Sequence, residues 1–102
     1  MGAIIDKVTA AIDVVDQLGD LADKIFTEFD RDRILRDAER CEKQITDNPN
    51  LPLAGKLVSI KDLYDEAGIA TTAGSELLKG RTPAPQDCDV VRRVKEAGAI
   101  PF

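Results

Sequence analysis

The residues best placed for chemistry in this chain are Lys61 and Asp62, which follow directly on the apolar run Leu57-Val58-Ser59-Ile60. The run reads as a buried strand, so the lysine closes a strand and passes into a turn, a common place for a catalytic side chain. A lysine at a strand end is also an ordinary solvated terminus. Asp62 and Asp65 can be read as paired carboxylates, yet Asp side chains also begin turns by bonding neighbouring backbone amides. Cys88 lies beside a predicted helix start, where a thiol can be activated, although a cysteine there is more often a small packing residue. The Thr71 to Ser75 loop carries a single glycine, Gly74, which is too little for a phosphate cradle. The chain has no histidine. Ser–His–Asp and Cys–His hydrolases are thereby excluded for want of an imidazole base, and Cys41 and Cys88, in separate segments, do not form a zinc site. No metal and no cofactor are expected.

The elements that must position Lys61 are readable from periodicity. Ile5, Val8, Ile12, Val15, Leu18, Ala22, Ile25 and Phe29 recur every three or four residues, which predicts an amphipathic helix with a kink or break at Gly19. Asp30 then caps a second helix bearing Ile34, Ala38, Cys41 and Ile45 on one face, and Asp47-Asn48-Pro49-Asn50 ends it. After this the period changes. Gly55 frees the chain to turn into the strand at Leu57 to Lys61, and Ser75 is placed to cap a short turn over Glu76 to Lys79 that Gly80 ends. Asp87 is the expected cap of a helix carrying Val90, Val91, Val94 and Ala97, with Gly98 left-handed just past its end. Ala99-Ile100 opens a further strand. Strand, helix and strand make a crossover unit, so this half is α/β, although two strands do not complete a fold.

Length and composition bound the rest. A 102-residue chain that is 43% hydrophobic and 32% charged is suited to one core rather than two. The formal charge of −5 argues against nucleic acid and against anionic membrane surfaces as partners. No apolar run approaches the roughly 20 residues of a membrane span, and the N-terminus lacks the features of a signal peptide. A soluble, cytoplasmic location is the expectation.

The segment Leu51-Pro52-Leu53-Ala54-Gly55-Lys56-Leu57-Val58-Ser59-Ile60-Lys61-Asp62 resembles the opening motif of the amidase signature family. The resemblance continues through Ala67-Gly68 and Thr71-Thr72-Ala73-Gly74-Ser75, then through Asp87 to Arg93 and Ala97 to Phe102. It covers about half of the chain as an ordered series. The Asp87-Cys88 and Ile100-Pro101-Phe102 pieces are similar to the fatty acid amide hydrolase branch. The resemblance implies an α/β fold: N-terminal amphipathic helices over 1–48, then over 49–102 the first strand–helix–strand part of an amidase-type α/β/α sandwich, truncated and incomplete. It also implies amide hydrolysis by a Ser–cis-Ser–Lys triad, with Lys61 matching the family lysine. The two serines would lie in a Gly/Ser-rich segment beyond these residues, and Ser59 and Ser75 do not match them.

The family chemistry shows why that segment matters. The lysine accepts a proton relayed from a bridging serine, which deprotonates the attacking serine. A free lysine, with a pKa near 10.4, is almost wholly protonated at neutral pH, and burial under the remaining sandwich is what makes the neutral amine accessible. The expectation is a chain without turnover alone, acting on a small-molecule amide only when a complementing amidase fragment completes it. The alternative is a helical interaction or oligomerisation module on a relic amidase scaffold. Exposed strand edges at Leu57 to Lys61 and Ala99 to Phe102 make a homo-oligomer a further expectation.

Overall fold

A computed structural model describes residues 2–102. Helix α1 runs Ala3–Gln17, and the chain then passes through a single 3₁₀ turn, Gly19–Leu21, into the short α2, Ala22–Ile25. The break falls at Gly19, whose φ of 58° is left-handed, where the sequence predicts it. Helix α3, Arg31–Asp47, starts at Asp30, whose carboxylate accepts from the Arg33 amide at 3.1 Å, and stops before the Asn48-Pro49 pair.

Strand β1, Leu57–Val58, lies parallel to β2, Ile100–Pro101, with Leu57 opposite Ile100 and Val58 opposite Pro101. Helix α4, Asp89–Glu96, lies in the connection between them, so the crossover unit is present and the chain is an incomplete α/β fold. Both strands are shorter than the sequence suggests. The last ladder bond runs from the Phe102 amide to the Val58 carbonyl at 2.8 Å, and Ser59 and Ile60 continue past it without a partner strand among the described residues.

One core joins the helices to the strands. Val8 and Ile12 of α1, Ile34, Ala38 and Cys41 of α3, and Ile100 of β2 are buried together, with Leu57 and Phe102 packed against them. The stripe read from the sequence thus finds its partner in α3 up to Val15, whereas Ile25 near its end is 57% exposed. On α4 it is Val91 that is buried, while Val90 faces solvent.

Polar ties fix α1 to α3 and to the turn before β1. The N-terminal amides of α1 have no local side-chain cap. Instead Glu42 on α3 accepts from the Gly2, Ile4 and Ile5 amides at 3.2, 2.9 and 3.2 Å. Lys7 donates to the Gly55 carbonyl at 2.6 Å, holding α1 against the turn that enters β1. No helix among the described residues is long and apolar enough to cross a membrane.

Candidate functional site

Lys61 lies in the turn that follows β1 rather than in the strand itself. Its carbonyl accepts from the Leu63 and Tyr64 amides at 2.7 and 3.1 Å, which reverses the chain and leaves the side chain exposed. The exit of a parallel strand is where α/β folds place ligands. Beside it opens a groove of about 700 Å³, lined by Ser59 to Tyr64 and by Thr71, Ala73 and Gly74. Phe26, Phe102 and the Arg33–Glu66 pair also line it. Phe102 meets Phe29 edge-on, with ring centroids 5.3 Å apart, so its place in the groove is fixed from the core side.

Asp62 does not form a local turn with adjacent amides. Its carboxylate reaches ten residues ahead, accepting from the Thr72 amide at 2.8 Å, from the Thr72 hydroxyl, and from the Gly74 amide at 3.3 Å. Burial pushes this carboxyl up, but the bonds from Thr72, Gly74 and the Thr27 hydroxyl outweigh it and hold Asp62 below the usual carboxylate range. Asp65 likewise reaches forward, accepting from the Thr71 hydroxyl at 2.7 Å. These two aspartates therefore fasten the Thr71 to Ser75 loop beside the turn that carries the lysine. They are not a paired acid and base.

The other sequence candidates resolve as structural. Ser75 caps the 3₁₀ turn Glu76–Leu78, accepting from the Leu77 amide at 3.3 Å. Cys88, not Asp87, occupies the cap position of α4, and no side chain caps that helix. Asp87 is drawn away by better partners: it accepts from the Ala67 amide at 2.8 Å and pairs with Lys95 at 2.9 Å. Burial opposes its charge, and the Ala67 and Lys95 contacts prevail to hold its carboxyl low. Ser59 lines the groove beside Lys61. Among the described residues no group of three or more His, Cys, Asp or Glu is placed to hold a metal ion.

An ion pair that no periodicity or motif signals lines the groove. Arg33 Nη1 meets Glu66 Oε2 at 2.7 Å, with Asp37 at 3.4 Å on the same guanidinium nitrogen. Glu66 is 6% exposed. Burial pushes its carboxyl above the ordinary value, a penalty that the nearby Arg33 and Lys95 charges only partly offset.

The profile of the family described as Amidase matches residues 7–102, so the match includes most of the helical segment as well as the strand unit. The chain is similar to a glutamyl-tRNA(Gln) amidotransferase subunit of Cutibacterium acnes, 42% identical over 76 residues, covering 74% of this chain and 15% of that protein. It is also similar to the protein of the same name from Salinispora arenicola, 35% identical over 99 residues, covering 96% of this chain and 18% of that one. Among solved structures, it superposes with a TM-score of 0.72 and 28% identity on a chain from "An unexpected vestigial protein complex reveals the evolutionary origins of an s-triazine catabolic enzyme". That superposition covers 97% of this chain and 23% of the other. The chain thus spans less than a fifth of the length of these two curated relatives. These comparisons show the family and not the fatty acid amide hydrolase branch that the Asp87-Cys88 and Ile100-Pro101-Phe102 pieces suggest. The chain belongs to the amidase family.

Proposed function

We propose that this chain supplies the lysine base of an amide hydrolase, with Lys61 as the proton acceptor and the Ser–cis-Ser pair carried outside these residues. The observation that supports the reading most is the position of Lys61: it leaves a parallel strand at the mouth of an open groove, flanked by the same motifs that align with the family. In this reading 1–48 is a helical lead-in and 49–102 is the N-terminal part of the amidase signature domain. The substrate is a small-molecule amide.

The chemistry divides between two parts. Acyl transfer needs an attacking oxygen, a base that takes its proton, and donors for the oxyanion. Lys61 supplies the second. The only serines in the sequence are Ser59 and Ser75, and the second of these is engaged as a cap. Lys61 is exposed, so the segment that brings the serines must also close the groove and exclude water from the amine.

The pure chain is expected to show no turnover of a simple aryl amide. Added to a polypeptide carrying the Gly/Ser-rich amidase segment, it is expected to form a complex that turns the amide over. Turnover by the chain alone, abolished by Lys61→Ala, would contradict the division of roles. The alternative, an interaction module, draws support from Val14, Leu21 and Ile25, which are 58, 50 and 57% exposed on the helical segment. Self-association that persists in gel filtration, together with failure of the complementing polypeptide to bind, would favour it.

A further inference from the structure

The turn at Thr72 to Ser75, which lines the same groove as Lys61, carries one residue that does not favour it. The Ser75 amide closes the turn onto the Thr72 carbonyl at 2.8 Å, with Ala73 at φ 52° and Gly74 at φ 72° between them. Two consecutive left-handed residues make the mirror-image turn that normally joins paired strands and prefers Asn or Gly at both positions. Here no strand flanks it, and Ala73 is the one described residue other than glycine with a positive φ. A strained residue of this kind persists where its surroundings over-determine it, and such residues concentrate at functional sites.

The surroundings in this case are Asp62. Its carboxylate takes both donors of Thr72 and the Gly74 amide, so it grips the turn on either side of Ala73. Lys61 and Asp62 are adjacent in sequence. Lys61 lines the groove, and Asp62 holds the turn whose residues Ala73 and Gly74, with Thr71, line it too. The spacing between base and wall is thereby fixed within one dipeptide.

We infer that Asp62 is a positioning residue whose grip on the 72–75 turn forms the substrate-facing wall of the Lys61 groove. The inference rests on the proposed amide hydrolase for its substrate and on the geometry alone for its clasp. Because glycine adopts positive φ without steric cost, Ala73→Gly should let the turn stand without the clasp.

Amide hydrogen exchange on the isotopically labelled chain tests the clasp without any activity. Asp62→Asn is expected to speed exchange of the Ser75 amide about tenfold or more, the loss of charge-assisted bonds. The Leu53 and Gly55 amides, bonded to Ala97 and Gly98 at 2.8 and 3.0 Å, should keep their rates. Adding Ala73→Gly to Asp62→Asn should return the Ser75 rate towards the parent value. Should Asp62→Asn not fold, Thr72→Val removes only the hydroxyl bond and should give the same local pattern at about threefold. An unchanged Ser75 rate, equal acceleration at all three amides, or no recovery with Ala73→Gly would overturn the clasp. In the completed hydrolase, Asp62→Asn should raise KM about tenfold with kcat within about twofold, the signature of lost binding. A fall in kcat at constant KM would overturn the role as substrate wall. An exchange result as expected with no hydrolysis in any complex would count against the proposed function and leave the clasp standing.

Discussion

Gly98→Ala is expected to destabilise the chain by roughly 2–5 kcal/mol, the sum of a left-handed penalty and overpacking. Gly98 has φ 95°, and a Cβ there would lie 3.0 Å from the Ala54 Cα and 3.2 Å from Leu51. The nearest obstacle is backbone, so it cannot step aside as a flexible side chain does. The same residue ends α4, and its carbonyl accepts from the Gly55 amide at 3.0 Å and from the Cys41 thiol at 3.1 Å. Three elements therefore meet at one position where any side chain intrudes. Urea unfolding measures the effect directly, and a change below about 1 kcal/mol, within the ordinary range of surface substitutions, would show that the Leu51 to Ala54 turn yields.

Arg33→Ala is expected to cost roughly 3–5 kcal/mol near neutral pH, as when one partner of a buried pair is removed. The variant leaves the Glu66 carboxylate buried, and Arg33 is its close counter-charge at 2.7 Å. The cost should depend on pH with a definite sign. The folded value of Glu66 lies above its ordinary 4.5, so the native state holds the proton more tightly than the unfolded chain. Its contribution is therefore most favourable below that ordinary value and is lost as pH rises through the raised one. Without Arg33 the rise is larger and the loss steeper. Asp62 and Asp87 act oppositely: both are held below 3.8, so the stability they contribute is present above that value and lost as pH falls through their folded values. The gap between parent and variant should thus narrow on going from pH 7.5 to about pH 4.5, before the aspartates titrate. An equal gap at both pH values would mean that the variant loses packing by the arginine stem and not charge compensation.

Helix periodicity made the first half legible. The spacing of Val8, Ile12 and Val15, and of Ile34, Ala38 and Cys41, reports which faces pack, and Asp30 and Asn48-Pro49 mark where α3 begins and ends. Local chemistry also revealed Ser75 as a cap and Gly98 as a left-handed stop, because a cap or a glycine stop depends only on residues within one turn. Long-range partners set what was not legible. Asp87 has the composition of a cap but meets Lys95 and the Ala67 amide first, twenty residues away in the latter case. Strand length depends on the partner strand, so the run ending at Lys61 reads as longer than its ladder. The groove itself depended on Asp62 reaching Thr72 and on Glu66 meeting Arg33 across 33 positions, neither of which leaves a periodic trace. Only the motif series around Lys61 distinguishes it from other strand-end lysines, and its proposed role rests on that series.

On the proposed reading Lys61 is the proton acceptor, and the two serines are carried outside these residues. The direct measurement is single-turnover acylation by an aryl amide in the complemented hydrolase, comparing the parent chain with Lys61→Ala at equal complex formation. Acylation is expected to slow by roughly 10²–10⁴-fold, the span of general-base catalysis, while the dissociation constant between the two polypeptides is unchanged. Acylation at the parent rate by a Lys61→Ala complex would contradict it.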